Sequence, residues 1–519
     1  MNQENRNFLG DINSKFDGIS SIIILGIIAV GGYIFRLIFF PFEIPVVLDG
    51  SSYFWYGLDM SILGNFPVNY DIVNNIWPTL LSLFFSLFSS DRFIDYMNLQ
   101  RMISTIISIL TIFPIYFLCK YFFTKKIALM GSIMFVFEPR IIHNSFLGIT
   151  EPLFVFLGVT TIGLFLNSNH KLVFLSFGIA GLFSLVRYEG ILIIIPMTIL
   201  YFYRYKKQNK VILKYLLALS IFVIVLLPMS SVRMSTMGYD GILSHVKDGV
   251  IVATTQNVLN ENPDKQKFFP TLGVINFIKL FGWVLIPNFI IFIPFGLFLL
   301  SKKRNWQLNY FILISIFSII PAFYAYSRGI SDTRYLLMLY PIVIIISLFS
   351  IEWITSKIKK KNLILIIITS GIILSSGIFL EIKIDNQHEK EAFEIALKNT
   401  PYLSVINSYY PESVYYKTTI IDEVEEFPIL KEDIPRKISI LTTSSFNSLE
   451  DFLVENEDKG LKHIVTDNTK NRLEFLKKVF YNEVDYPYLT KIYDSKEDGF
   501  EYHLKIFEIN YNQFNELRK

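Results

Sequence analysis

LILIIITSGIILSSGIFLE, residues 363–381, carries no charge until its last position, and from Lys383 onward the chain changes character. A run of this length approaches the ~20 apolar residues that cross the hydrocarbon core of a bilayer. Many similar runs precede it. After it, charged residues become frequent and segments shorten to the lengths of a soluble fold. The chain therefore reads as a membrane part, residues 1–382, followed by a small soluble part, residues 383–519. Composition agrees: of 519 residues, 52% are hydrophobic, 49 are Phe and only 18% are charged, against about 25% charged in soluble chains.

Working back from that run gives eleven spans, near residues 19–40, 99–119, 127–140, 149–166, 172–186, 189–203, 211–229, 272–300, 309–326, 335–351 and 363–381. The first is too long for a signal peptide and lacks a small-residue cleavage site, so it reads as a retained helix. Orientation follows from charge, because short loops rich in Lys and Arg stay cytoplasmic. KYFFTKK (120–126), NSNHK (167–171), YRYKKQNK (203–210), SKKRNW (301–306) and SKIKKKN (356–362) are all basic and contain no acid. The first alternate loop, 41–98, holds Glu43, Asp49, Asp59, Asp71, Asp91 and Asp95 against Arg92 alone. The alternation requires IWPTLLSLFFSLF (76–88) to lie as an interfacial or re-entrant helix on the outer side. The N-terminus is then expected inside and the C-terminus outside. The loop 230–271 is balanced in charge and could act as a lid.

The soluble part predicts a small α/β domain. EKEAFEIALKN (389–399) and NRLEFLKKVF (471–480) read as helices; LSVINSYY (403–410), ISILTTSS (438–445) and HIVTDN (463–468) read as strands. SLEDFLVENEDKG (448–460) reads as a helix with Ser448 as N-cap and Gly460 as C-cap. TKIYDSKEDGFEYHLKIFEI (490–509) reads as a hairpin turning at Asp498-Gly499. A single cysteine, Cys119, excludes an intramolecular disulfide and a cysteine zinc cluster. No basic, aromatic-interleaved patch suggests a nucleic acid.

The ionisable residues near the spans fall on one side. Asp49, Asp59, Arg101, Glu138, Arg140, His143, Glu151, Arg187, Glu189, Arg328, Asp332 and Arg334 all map to outer ends. A charge at mid-membrane costs at least ~2.5–3.5 kcal/mol, so a one-sided cluster predicts a polar cavity opening outward. Singly, each has a plainer reading. Glu138 and Glu151 precede prolines and can bound helices, and Arg187 and Glu189 can form a local ion pair. Together the residue types suggest a chemistry. Arginine forks bind phosphate bidentately, a carboxylate can take a hydroxyl proton, and Tyr53, Trp55 and Tyr56 suit sugar faces. They point to glycosyl transfer from a polyprenyl-phosphate sugar.

LDGSSYFWYGLD (48–59), NNIWPTLLSLF (74–84), YFFTKK (121–126), IMFVFEPRIIHNSFLGITEPLFVFL (133–157), SLVRYEGILIIIP (184–196) and SDTRYLLMLYPIVIIIS (331–347) occur in that order. The series resembles the GT-C-type integral membrane glycosyltransferases, in the branch of dolichyl-phosphate-mannose protein mannosyltransferases and aminoarabinose transferases. The resemblance implies a helical polytopic fold and inverting transfer on the extracytoplasmic face. The donor would be a polyprenyl-phosphate sugar and the acceptor a glycan, lipid or protein. It assigns the acceptor's base or orienter to Asp49, although Gly50 follows where the protein mannosyltransferases carry a Glu. Glu151 matches the acid of an Asp/Glu-Pro motif, with Glu138 an adjacent candidate. Arg334 matches a late Arg-Tyr motif suited to phosphate. Arg328, Arg187, Arg140, His143 and Tyr53 complete the candidate binding residues.

The oligosaccharyltransferase signature Trp-Trp-Asp-Tyr-Gly is absent from the soluble part, and the second outer loop has no Asp-X-Asp. No cofactor is therefore expected and a divalent metal is not supported, though Asp49, Glu138, Glu151 and His143 could ligate one. A lipid-sugar transporter or flippase would show mid-membrane charges and related halves, and neither is visible. A catalytically inactive scaffold is the other alternative.

Overall fold

The computed structural model describes residues 20–68, 70, 72–90, 92–254, 269–302, 306–384, 387–399, 413–417, 438–442, 446–469 and 472–518. The expected strand at 403–410, the acids Asp71 and Asp91, residues 303–305 of one basic loop and 255–268 of the expected lid lie outside the described residues. The chain forms two compact units: Met1–Phe40, Phe66–Leu80 and Arg101–Lys383, and Pro41–Asn65, Leu81–Gln100 and Ile384–Lys519.

The first unit is built of helices. Among the described residues, six stretches are long and apolar enough to cross a membrane: Ser21–Ile38, Ile94–Lys120, Val211–Met237, Leu308–Ser327, Thr333–Lys357 and Lys361–Lys383. Shorter apolar helices are Ile76–Phe85, Glu151–Leu166, His170–Val186 and Pro270–Leu285. Several expected spans are interrupted. The run 127–140 is a helix Lys125–Val136 followed by a fresh start at Pro139. The run 189–203 opens with a 3-10 turn, Tyr188–Ile193, before the helix Ile194–Tyr205. The run 272–300 is two helices, Pro270–Leu285 and Ile293–Ser301. Another 3-10 turn, Thr333–Leu339, precedes Tyr340–Lys357. Proline has no N–H to give and crowds the carbonyl four residues back, so a helix restarts at it more readily than it runs through. Pro139, Pro152, Pro294 and Pro341 all sit in first turns.

Two arginines lie inside this helical unit, where the sequence led us to expect scarcely any charge. Arg36 is fully buried and donates to the carbonyls of Thr105 and Val136, both at 3.2 Å. Arg233 is buried on the helix Val211–Met237 and donates to Asn75 Oδ1 and the Leu185 carbonyl, both at 3.0 Å. A guanidinium has five donors in a planar fork, so backbone carbonyls at helix ends can hold it.

In the second unit the helix Asp49–Leu63 buries Tyr53, Phe54, Trp55, Tyr56, Leu58 and Asp59, and stops at Gly64, whose φ of +69° favours glycine. Among the described residues, five antiparallel strands, β1 (Ser413–Lys417), β2 (Ile438–Thr442), β3 (His463–Asp467), β4 (Leu489–Asp494) and β5 (Leu504–Ile509), lie in the order β2-β1-β3-β5-β4. Side chains alternate across a strand. Ile464 and Phe507 thus pack with Phe452, Leu476 and Phe514 in one cluster, while Val465 and Ile506 pack with Ala392 and Ile395 in another. The Ser448 cap is present, accepting from Asp451 N at 3.1 Å, and Gly460 and Gly499 take the expected positive φ. Strand β1 is an element the sequence reading missed. A knot closes the end of β3: Asp467 accepts from Arg472 at 2.6 and 2.7 Å and from the Tyr502 hydroxyl at 2.7 Å.

Candidate active site

Helices Glu151–Leu166 and His170–Val186 are joined by three residues, which makes them antiparallel neighbours. The start of the first and the end of the second therefore share one end of the unit. At the other end Arg204 donates to the carbonyls of Phe165 and Asn167, at 2.7 and 2.6 Å. The basic loops 167–171 and 203–210 thus lie about 24 Å along the helix from Glu151, at 1.5 Å per residue.

Glu151 opens its helix ahead of Pro152, a position favourable for an acid because the N–H ends carry partial positive charge. The residues before it are pinned: Arg101 Nε donates to Phe146 O and Trp77 Nε1 to Gly148 O, each at 2.9 Å. After Val186 the chain extends through Arg187 and turns back at Gly190, whose N–H bonds Arg187 O at 2.9 Å. A Cβ at Gly190 would sit 2.9 Å from Phe183 O, so the turn is too tight for a larger residue. The third reversal is Asp332–Arg334, where Asp332 Oδ1 accepts Arg334 N at 2.8 Å and starts the 3-10 turn.

These three reversals bring five ionisable side chains together. Arg187 Nη1 donates to Glu151 Oε1 at 2.5 Å and its Nε to Glu189 Oε1 at 2.6 Å. Arg334 Nε donates to Asp332 Oδ2 at 2.6 Å, and its Nη1 lies 4.0 Å from Glu151 Oε1. Thr150 Oγ1 adds a bond to Glu151 Oε2 at 3.2 Å. The Glu151 side chain is 3% exposed, Arg187 15% and Arg334 30%. Arg187 also lies 5.8 and 5.7 Å from the ring centres of Phe154 and Tyr335, and Phe154 stacks on Phe183 at 4.0 Å.

Glu151, Arg187, Glu189 and Arg334 line a cleft of about 50 Å³, room for a few water molecules. Its remaining walls are apolar, among them Leu192, Pro196, Phe317 and Met338. A smaller cavity of about 10 Å³ lies behind Glu151, bounded by Ser108, Thr111 and Asn144.

Among the sequence-based candidates, Glu151, Arg187 and Arg334 meet here. Glu138 does not line this cleft: it is buried in a separate polar group, accepting from Asn288 Nδ2 at 3.0 Å, with Ser376 and Ser375 beyond. Arg140 donates to Ile286 O at 2.6 Å and lies over Phe379. His143 is exposed on the helix Pro139–Ser145. Arg328 follows the helix Trp306–Ser327 beside Tyr324. Asp49 and Tyr53 belong to the second unit, where Asp49 is exposed at the start of its helix and Tyr53 is buried within it.

Glu189, which lines the cleft, and Asp332, which holds Arg334, were not among the candidate binding residues. The spacing held a signal: R-x-E at 187–189 and D-x-R at 332–334 both set an acid two residues from an arginine. Among the described residues no group of three or more His, Cys, Asp or Glu is arranged for a metal. Glu151 and Glu189 are held by one arginine, which does not suit a divalent ion.

The class of fold is that of the GT-C membrane glycosyltransferases. No protein-family model and no curated protein matches the sequence. The apo oligosaccharyltransferase of Archaeoglobus fulgidus is similar with a TM-score of 0.55 and 13% identity, over 87% of this chain and 70% of its own. ArnT from Cupriavidus metallidurans, bound to undecaprenyl phosphate, is similar with a TM-score of 0.55 and 10% identity, over 94% and 97%. The Archaeoglobus fulgidus enzyme AglB with an inhibitory peptide and a dolichol-phosphate gives 0.50 and 13%, over 86% and 69%. At such identities the likeness is one of fold.

Proposed function

We propose that the protein is a membrane glycosyltransferase that moves a sugar from a polyprenyl-phosphate carrier to a glycan, lipid or protein acceptor on the extracytoplasmic face, with inversion. The observation that carries this is the cleft, in which arginines and carboxylates from three chain reversals meet against stacked aromatic rings. The fold supports it: similar proteins were solved with undecaprenyl phosphate and with a dolichol-phosphate and a peptide. The separation of the basic loops from the cleft supports an outward-facing site. Residues 1–382 then form the membrane part, with the loop 41–98 on the outer side, and 383–519 an extracytoplasmic domain.

In the proposed reaction the acceptor attacks the anomeric carbon opposite the phosphate. Asp49 takes the acceptor's proton, the bond from carbon to phosphate oxygen breaks, and the polyprenyl phosphate leaves with the electron pair. Glu151 and Glu189 fix the Arg187 fork and offer acceptor atoms to sugar hydroxyls. The test uses the full-length protein in lipid nanodiscs with a panel of polyprenyl-phosphate sugars, following release of polyprenyl phosphate. Asp49→Asn should slow release about 10²–10⁴-fold, the usual worth of a general base, with the protein still folded. Unchanged turnover in Asp49→Asn would remove that residue from the reaction. A wild-type protein that releases no polyprenyl phosphate from any donor would end the reading.

A further inference from the structure

The sequence resemblance assigns the lipid phosphate to Arg334. The charge inventory argues otherwise. Three carboxylates, Glu151, Glu189 and Asp332, surround two guanidiniums, and both guanidiniums are already bonded to them. An incoming phosphate would meet surplus negative charge. What the cleft has to spare is an acceptor: Glu189 Oε2 is buried without a partner. Such an atom suits a sugar hydroxyl.

Spare donors gather next to it. Arg328 has no carboxylate within ion-pair reach among the described residues. Its Nε is buried without a partner, and Nη1 makes only a 3.5 Å bond to the Tyr324 hydroxyl. The helix Trp306–Ser327 ends just before it, and Gly329, at φ +81°, turns the chain away. The negative end of that helix favours a cation there without occupying its N–H groups.

The helix Leu243–Thr254 lies on the same tyrosine. A Cβ at Gly249 would stand 3.9 Å from Tyr324 Cζ, and His245, four residues earlier, shares that helix face. His245 packs against Tyr188 at 5.0 Å and Tyr239 at 5.7 Å between ring centres. Its Nδ1 is also buried without a partner, whereas the neighbouring Ser244 is taken up by Asp240, whose carboxylate accepts Ser244 N at 3.0 Å at the start of the helix. Tyr188 immediately precedes Glu189, so the donor-rich group adjoins the acceptor-rich cleft through one residue.

We propose that Arg328, with His245, forms an oxyanion subsite beside the cleft and takes the phosphate of the lipid carrier, while the attached sugar faces Glu189. A sugar and the phosphate it is bonded to need adjoining sites of opposite hydrogen-bonding character, and these two segments supply them. The proposal rests on the reading of a polyprenyl-phosphate donor.

Binding of farnesyl phosphate, farnesol and inorganic phosphate to the purified full-length protein in detergent micelles tests it. Arg328→Gln should weaken farnesyl phosphate about ten- to a hundredfold, the loss expected when a charge-assisted hydrogen bond is removed, and leave farnesol unchanged. Arg328→Lys, which keeps the charge but not the fork, should fall between, and Arg334→Gln should change affinity less than threefold. Competition by millimolar inorganic phosphate would identify a general phosphate site; its failure to compete would identify the lipid-borne group as the ligand. Full farnesyl phosphate affinity in Arg328→Gln would overturn the subsite and leave the donor reading standing. A wild-type protein that binds no prenyl phosphate would overturn both.

Discussion

Arg187→Ala removes the one guanidinium shared by Glu151 and Glu189. It makes two charge-assisted bonds, at 2.5 and 2.6 Å, each contributing about 1.5–3 kcal/mol. The side chains are 15%, 3% and 12% exposed, so solvent cannot replace the lost partner. Taking one partner from a buried pair costs about 3–5 kcal/mol, and we expect about 4 kcal/mol here. Glu151→Gln keeps the shape and discards the charge, and should cost about 1.5–3 kcal/mol. In the double variant one of the two stranded carboxylates, that of Glu151, is gone and only Glu189 is left without its arginine. The cost of the double variant should therefore fall below the sum of the single changes by about 1–3 kcal/mol. Equilibrium unfolding in mixed detergent micelles, followed by tryptophan fluorescence, measures all four corners of the cycle. Additivity within about 0.5 kcal/mol would mean that the two side chains do not interact, and the cleft as described would be wrong.

Two further outcomes concern packing and pH. Gly296→Ala should destabilise the membrane unit by about 1–3 kcal/mol, because a Cβ there runs into the Ile346 carbonyl oxygen and the helices Ile293–Ser301 and Tyr340–Lys357 would have to part; wild-type unfolding would show that they pack more loosely. In the second unit, burial pushes the Asp467 carboxyl up, but the Arg472 and Tyr502 hydrogen bonds and the Arg472 charge outweigh it and hold it below its ordinary value of 3.8. A depressed acid stabilises above its ordinary value and loses that contribution as pH falls through the folded one. Protection of β3 amides from hydrogen exchange, taken relative to the intrinsic rate at each pH, should thus hold at pH 5 and fall only in stronger acid, and Asp467→Asn should lower it at neutral pH.

The apolar runs made the helical fold legible because bilayer-length segments leave little choice of structure. Their interruptions were less legible. A sliding reading of hydropathy joins 272–300 into one span, yet Pro287 and Pro294 divide it, and the 3-10 turns at Tyr188 and Thr333 look equally apolar. Of the site, the arginine-acid pairs could be read from spacing, but their convergence could not. Glu138 and Glu151 stand in near-identical settings, each before a proline at a helix start, and only the fold sends one to Asn288 and the other to Arg187. Arg36 and Arg233 were passed over because the expectation of charge-free interiors ignores backbone carbonyls as partners. Strand β1, SVYYK, is too short to separate from its surroundings.

The interruptions and the site are one feature. An unbroken helix satisfies its own backbone and presents side chains to its neighbours at fixed intervals. Where a helix stops short of the membrane surface, its end groups need partners, and such ends persist only against protein or a water-filled cavity. The first unit stops three segments at one level: before Glu151, after Val186 and before Thr333. Each stop carries an acid or an arginine that bonds a neighbouring stop, so the charges satisfy one another in a place where isolated ones would be expelled. Phe154 and Phe183 close the apolar side. On the proposed reading, a ligand with an apolar tail and a polar head would find its two surfaces in the order in which a bilayer presents them, which would place chemistry on a lipid-borne sugar at broken helix ends rather than at the middle of a span.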